Sequence, residues 1–532
     1  MARLTRRRVV RGLAGAALLI AVVTAVSRVV GFGRVLVFSK TVGDTCLGDV
    51  YNTANLLPNV AFEVVAGGAL ASVVVPLLVG RFEREERAEA SQTMSALLTW
   101  TLVVLVPVAV GLAAVAQPVM GFFLGNGQCG AEAADLGARM VRIFAPQIPL
   151  YGVAVVIGGA LQARRSYLPS AAAPIVGSLV VIPAYLLFAT MASGQTPLGE
   201  LGAGAELVLS VGTTLGVVGL AAATVVPALR RHTRVPYRPT LHFPPGVAGR
   251  ARSLALAGLA AFLAQQVAAL VVAWLANRRG GEGAFTLYTW AWQLYLLPYA
   301  VLAVPLATSA FQRLASSVEA GDVDGYARTT ASTTRMVVLA SAAGAAALAG
   351  AALPVARTFV LGPGSGNAAP LAAGLVAFAP GLIGYGLVAH LGRALYAQHR
   401  GRAAALATVT GWLVVVAVDL ALVLGRDGAN VVQALGWGNS AGMVVGGALL
   451  VGATVRVAGA RTMDGVPRTA LVATVGAVAG AAAGYRVGEV FADAAFATAV
   501  LGAVSAAAVA LVVLAGAVAL GDRATARSLV RR

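Results

Sequence analysis

Charge is scarce in this chain. Only 11% of its 532 residues are Asp, Glu, Lys or Arg, against roughly 25% in soluble domains. A soluble globular protein is thereby excluded. Lysine is nearly missing: Lys40 is the single one among 39 basic residues, an imbalance with no functional message of its own. The four histidines, His232, His242, His390 and His399, have no metal-ligand spacing. No P-loop or HExxH motif occurs. Neither an enzyme nor a bound cofactor or metal is expected. The net charge of +18 does not signal nucleic acid either, because the arginines fall in short clusters between apolar runs.

What the chain has in abundance is hydrophobic sequence, 59% of all residues. A membrane-crossing helix needs about 20 apolar residues. On that basis the expectation is an all-α polytopic membrane protein of about fourteen spans. They fall near residues 16–42, 50–80, 91–116, 136–162, 167–192, 203–229, 250–277, 283–313, 331–353, 370–397, 402–425, 430–457, 468–490 and 495–520. The first segment imitates a secretion signal, but span follows span, so it is read as a retained helix. With both termini cytoplasmic, "RLTRRRVVR", "GRFEREER", "QARRSY", "QHRGR" and "RATARSLVRR" lie inside. The alternate loops "TVGDTCLGD", "GNGQCGAEAAD" and "SGQTPLGELGAGAE" contain no Lys or Arg. That is the positive-inside pattern; "NRRGGEGA" is the exception.

The chain is internally duplicated. "FAPQIPLYGVAVVIGGAL" (144–161) aligns without gaps to "FAPGLIGYGLVAHLGRAL" (378–395), and "LLPN" (56–59) echoes "LLPY" (296–299). These pairs match span two with eight and four with ten. The expected architecture is two pseudo-symmetric six-helix lobes around a central cavity that opens to either side in turn, followed by a C-terminal helix pair. The divisions are residues 1–229, a basic cytoplasmic linker 230–249, residues 250–460, and 461–532 for the last two helices and basic tail.

Polar residues inside such spans are costly and mark pathways. Span two carries Asp49, Asn52, Asn55, Asn59 and Glu63; from Asn52 the steps of 3, 4 and 4 line one helix face. Pro58 should bend that helix. "SRVVGFGR" (27–34) sets Arg28 and Arg34 in the first span, with Gly31 and Gly33 expected to hinge both guanidiniums to one side. Arginine forks match phosphate oxygens, so the implied ligand is an anion. Spans seven and eight add Gln265, Gln266 and Gln293, with Tyr288, Trp290, Trp292, Tyr295 and Tyr299 as either an interfacial aromatic belt or a lining. Arg393 replaces Gly159 of the repeat. Asp419, a lone acid in span eleven, is expected to bind a cation or to pair with Arg393. Cys46 and Cys129 fall in outside loops and are expected to form a disulfide.

"SRVVGFGR", the following "GD" and "NTANLLPNVAFEVVAGGALASVVVPLL" resemble the first two helices of the MviN/MurJ lipid II flippases, in the form of the actinobacterial branch. These belong to the multidrug/oligosaccharidyl-lipid/polysaccharide exporter superfamily. The resemblance spans essentially the whole chain. It implies transport of lipid II, an undecaprenyl-diphosphate-linked disaccharide-pentapeptide, to the outer leaflet of a bacterial plasma membrane. It also implies cavity arginines at Arg28 and Arg34, an acid at Asp49, and a lipid-facing groove for the polyprenyl tail on the last helix pair. Membrane lipids and cell-wall synthesis proteins are the implied neighbours. The chain departs from the family pattern at Val35, Phe62, Glu63, Trp292 and Gln293. Span seven has no acid and Val415 stands where the family's sodium site has asparagine, so the membrane potential is the expected driving force. The competing expectations are a flippase for another polyprenyl-linked glycan and a non-transporting scaffold for cell-wall synthesis.

Overall fold

The computed structural model describes residues 2–532 except 65–73, 75–76, 80–83, 85, 126, 231–236, 245–246, 426–429, 524 and 526–532, with backbone only at 2–21, 87, 248 and 250–258. The middle of the expected second span, parts of the 230–249 linker and the end of the basic tail therefore lie outside the described residues. Among those described the chain is helical, with a single isolated β-bridge, Asp44 to Gly364. Twelve helices are long and apolar enough to cross a membrane, thirteen when one bent pair counts as a span. The chain divides into two compact units: Met1–Val42, Val50–Gly125 and Gly130–Phe262 form the first, and Gly43–Asp49, Asn126–Cys129 and Leu263–Arg532 the second.

In the first unit α1 spans Ala2–Thr41, α2 Cys46–Phe62, α3 Arg87–Ala114 and α4 Ala116–Leu124. Then come α5 (Glu132–Phe144), α6 (Gln147–Ala163), α7 (Leu168–Met191) and α8 (Ala203–Ala228). The first turn of α2 belongs to the second unit. Of the linker, Arg238 and Leu241 are tied to α3: the Arg238 amide donates to Ser95 Oγ at 3.1 Å and Trp100 Nε1 donates to the Leu241 carbonyl at 3.0 Å.

Helix α9 (Val247–Arg279) enters the second unit at Leu263. It is followed by α10 (Ala284–Pro298), α11 (Val304–Glu319), α12 (Val323–Gly350) and α13 (Ala352–Val360). After these run α14 (Ala369–Phe378), α15 (Gly381–Ala397), α16 (Gly401–Val423) and α17 (Asn430–Ala458). The final pair is α18 (Val466–Glu489) and α19 (Phe496–Gly521).

The duplication extends to local geometry. Each copy has a nine-residue helix after its third span, α4 and α13, where the sequence reading has only the connection to the next span. Each Phe-Ala-Pro breaks a span, at Ala145–Pro146 and at Ala379–Pro380; α14 and α15 are bent by 42°. Proline has no amide hydrogen and its ring displaces the carbonyl one turn back. Beyond Pro58 and Pro298 the helix widens into π-helical turns, at Glu63–Val64 and Tyr299–Ala303.

Helices α6 and α15 also end alike. The Ser166 amide donates to the Leu161 carbonyl at 2.9 Å and the Arg400 amide to the Leu395 carbonyl at 2.8 Å. This six-to-one closure requires a left-handed residue, usually glycine. Here it is Arg165 at φ 62° and His399 at φ 57°. A β-carbon in that region costs roughly 1–2 kcal/mol. His399→Gly is therefore expected to raise stability by up to about 1 kcal/mol, after the added unfolded-state entropy of glycine is subtracted. Thermal unfolding of the detergent-solubilised protein reads this; an unchanged or lowered midpoint counts against strain at His399.

Candidate functional site

Helix α1 runs unbroken through Gly31 and Gly33, so the expected hinge does not form. Interior glycine weakens a helix by about 1 kcal/mol but does not break one whose hydrogen bonds are otherwise intact. A β-carbon at either glycine would meet no heavy atom within 4 Å; both face open space. On a straight helix Arg28 and Arg34 sit about 9 Å apart along the axis and roughly 120° apart around it, with Gly31 between. Arg28 is exposed and Arg34 half-buried.

The charge of Arg34 acts on three tyrosines of the first unit, Tyr51, Tyr151 and Tyr185. Tyr51 Oη is hydrogen-bonded to Tyr185 Oη and to Thr213 Oγ1, each at 2.8 Å. The span-two stripe lies nearby. Asn52, Asn55 and Asn59 are half-buried and Glu63 is exposed, which is the exposure of an accessible polar face. Asn59 Nδ2 donates to the Asn55 carbonyl at 2.8 Å, and Tyr151 Oη donates to Asn59 Oδ1 at 3.4 Å. The tyrosines escaped the sequence reading as site residues, although Tyr151 stands in the repeated "FAP…YG" motif.

The second unit repeats this contact. Tyr385, the repeat counterpart of Tyr151, stacks on Tyr299 with ring centroids 4.1 Å apart. Tyr299 follows Pro298 as Asn59 follows Pro58. Arg393 is half-buried, its charge acts on Tyr299, and its Nη1 donates to the Ala389 carbonyl. Gln293 is exposed and Gln266 buried. The aromatics of α10 are not a belt: Trp290 and Tyr295 are fully buried, packed on Phe359 and on Phe378 and Tyr385 respectively.

Asp49 is placed differently from the rest of its stripe. It is buried, and its Oδ1 accepts from both the amide and the hydroxyl of Thr286 at 2.8 Å. Thr286 lies in the first turn of α10, whose own N-cap, Gly283, has no side chain to offer. Asp49 supplies the missing cap, and its negative charge suits the positive end of that helix. In return Glu282 Oε1 accepts from the Cys46 amide at 3.1 Å, capping α2 beside Thr45, whose Oγ1 takes the Gly48 amide. The same loop is held by Asp44, which accepts from the amide and hydroxyl of Ser365. Burial pushes the Asp44 carboxyl up, against the Ser365 bonds that lower it. Cys46 and Cys129 are joined in a disulfide.

Asp419 is fully buried, and neither oxygen has a hydrogen-bond partner among the described residues. Arg393 is bonded to its own helix instead. One strong pair was missed: Arg139 forks onto the buried Glu206 through three bonds of 2.9–3.0 Å. No cluster of three His, Cys, Asp or Glu suited to a metal occurs among the described residues.

The family model of the lipid II flippase MurJ matches residues 38–501; Arg28 and Arg34 precede the matched stretch. The lipid II flippase MurJ of Burkholderia cenocepacia is 27% identical over 384 residues, 70% of this chain and 71% of that protein. The probable lipid II flippase MurJ of Rhizobium tropici is 25% identical over 298 residues, 56% of this chain and 54% of that protein. In fold, a lipid II flippase MurJ in an inward closed conformation superposes with a TM-score of 0.73 at 15% identity, covering 93% of this chain and 98% of that one. An inward-facing MATE family multidrug transporter gives 0.63 at 14% identity, covering 86% and 96%.

The cap at Thr286 is open to test. Asp49→Ala strands a buried amide and hydroxyl, and is expected to cost about 1–3 kcal/mol. Asp49→Asn keeps an acceptor and should recover part of it. Thermal unfolding of the purified protein reads both; equal midpoints for wild type and Asp49→Ala would remove the capping role.

Proposed function

The chain belongs to the lipid II flippase MurJ family, and from that premise we propose how its side chains handle the substrate. It is a multi-span flippase of the plasma membrane, a transporter and not an enzyme. Lipid II presents a diphosphate, and Arg28 and Arg34 hold it. The observation that supports this most is the surroundings of Arg34. A half-buried guanidinium on an apolar helix, coupled to tyrosines and without a carboxylate partner among the described residues, is poised for an anion. Asn52, Asn55, Asn59 and Glu63 offer amides and a carboxylate to sugar and peptide groups, and Gln293 and Arg393 serve the same purpose on the second unit. Asp49 is left out of this set, because its oxygen is committed to Thr286.

Both termini are assigned to the cytoplasm, on the arginine distribution of the loops. The membrane potential acts on the substrate's charge as the protein alternates between inward and outward states. Asp419 is assigned a cation. A carboxyl buried without a hydrogen-bond partner is held as the neutral acid by a proton or as the anion by another cation.

The test is lipid II exposure on the outer leaflet of cells depleted of this protein. Wild type should restore it. Arg28→Ala/Arg34→Ala at equal membrane abundance should restore about one tenth or less, given the strength of charge-assisted bonds. Equal rescue would make the arginines structural. Asp419→Asn is expected to slow transport while leaving thermal stability unchanged or raised, since an amide there has no charge to compensate. Transport at the wild-type rate would remove Asp419 from the coupling.

A further inference from the structure

At one membrane end of the second unit lies a cavity of about 750 Å³, lined by α12, the short turn at Ala460–Met463 and the start of α18. We propose that it binds a phosphoryl anion, as carried by the headgroup of an acidic phospholipid, at a position distinct from Arg28 and Arg34.

The lining is basic and directional. Arg328 and Arg335 stand seven residues apart on one face of α12, with Ser332 between them and Asp324 one turn earlier. Arg461 enters from the turn and pairs with Asp324 at 3.2 Å; Asp464 is the other lining acid. With Asp324 engaged, two arginines face one free-standing acid.

Arg335 is the informative residue. Its Nη1 lies 3.2 Å from where a β-carbon on Gly465 would sit. Gly465, at φ 73°, is the N-cap of α18 and no side chain caps that helix. A guanidinium is thus set against the positive end of a 24-residue helix, where like charges repel. Its Nε is buried without a hydrogen-bond partner, and among the described residues it forms no ion pair. Cation, uncapped helix start and unfilled donor all call for an anion in the same place, and a phosphate satisfies them together. The hydroxyl of Ser332 donates to the Thr329 carbonyl at 3.1 Å, so the donors open to the anion are those of the arginines.

The location favours a lipid source. Helices α12 and α18 are both membrane-spanning and both begin at this cavity. Arg468, one turn into α18, bonds the Gly521 carbonyl at the last residue of α19. The cavity therefore sits where spans meet the headgroup layer, a usual place for basic lipid pockets.

The experiment uses the full chain in phosphatidylcholine nanodiscs without lipid II. Retention of phosphatidylglycerol is measured by native mass spectrometry, and inorganic phosphate is titrated in parallel. Wild type should retain phosphatidylglycerol over phosphatidylcholine, and Arg328→Gln/Arg335→Gln should weaken retention about ten-fold. Arg335→Lys should fall between, keeping charge but losing the fork. Selective lipid retention that phosphate does not displace assigns the headgroup. Phosphate binding without lipid selectivity, lost in the double variant, assigns a soluble phosphate at the same site. If the double variant does not fold, the exposed Arg328→Gln carries the comparison. Equal retention of both lipids with no phosphate binding, or binding unchanged by substitution in a folded variant, overturns the proposal.

Discussion

Unsatisfied backbone polarity is the constraint on which this structure depends. In hydrocarbon every amide and carbonyl must find a partner inside the protein. A chain with many spans has twice as many helix ends, and several spans here are broken midway. The reciprocal caps around Asp49 and Glu282 answer this at two helix starts with two side chains. Gly283 and Gly364 allow the close approach. Each has positive φ, and a β-carbon on either would run into Asp44. The loop from Gly43 to Asp49 is consequently a fixed part of the second unit, held by two carboxylates and a disulfide.

The same constraint explains why the duplication is deeper in structure than in sequence. Residue identities between the copies are few, yet the devices that handle backbone geometry recur. These are the Ala-Pro break, the π-helical widening after Pro58 and Pro298, and the left-handed closure at Arg165 and His399. Neither closure uses glycine, so geometry persisted where sequence drifted. The two sequence echoes, "FAP…YG" and "LLP", meet in space in each unit, as Tyr151 on Asn59 and Tyr385 on Tyr299. Chemistry at the contact has diverged from a hydrogen bond to a ring stack, while the framework has not.

Span positions were legible because they follow from apolar length alone. The start of α8 falls where the sequence places it, and that of α17 likewise. The helices α4 and α13 were not legible, since nine residues fall well short of the length that marks a span and so read as connection. The supposed hinge at Gly31 and Gly33 failed for a related reason: glycine permits a bend but supplies no force to make one. Asp49 shows that period alone cannot tell an accessible face from a capping position. It belongs to the stripe by spacing and to α10 by hydrogen bonding.

Partners, rather than positions, sort the charges of this chain. Glu206 is buried and paired with Arg139, and an oxygen of Asp49 and one of Asp44 are taken by helix and hydroxyl donors. Each of these carries out a structural task. Arg34 and Arg335 are the reverse: each guanidinium lies beside apolar packing and forms no ion pair among the described residues, while the buried Asp419 carboxyl has no hydrogen-bond partner there. An unmatched charge at such a place is unfavourable for folding alone. In each unit such a guanidinium is the place where an anion would be accommodated at least cost, Arg34 in the first and Arg335 in the second. The acids with hydrogen-bond donors and the cations without acid partners are thus distinguished by a single physical criterion, which sequence spacing could suggest but not apply.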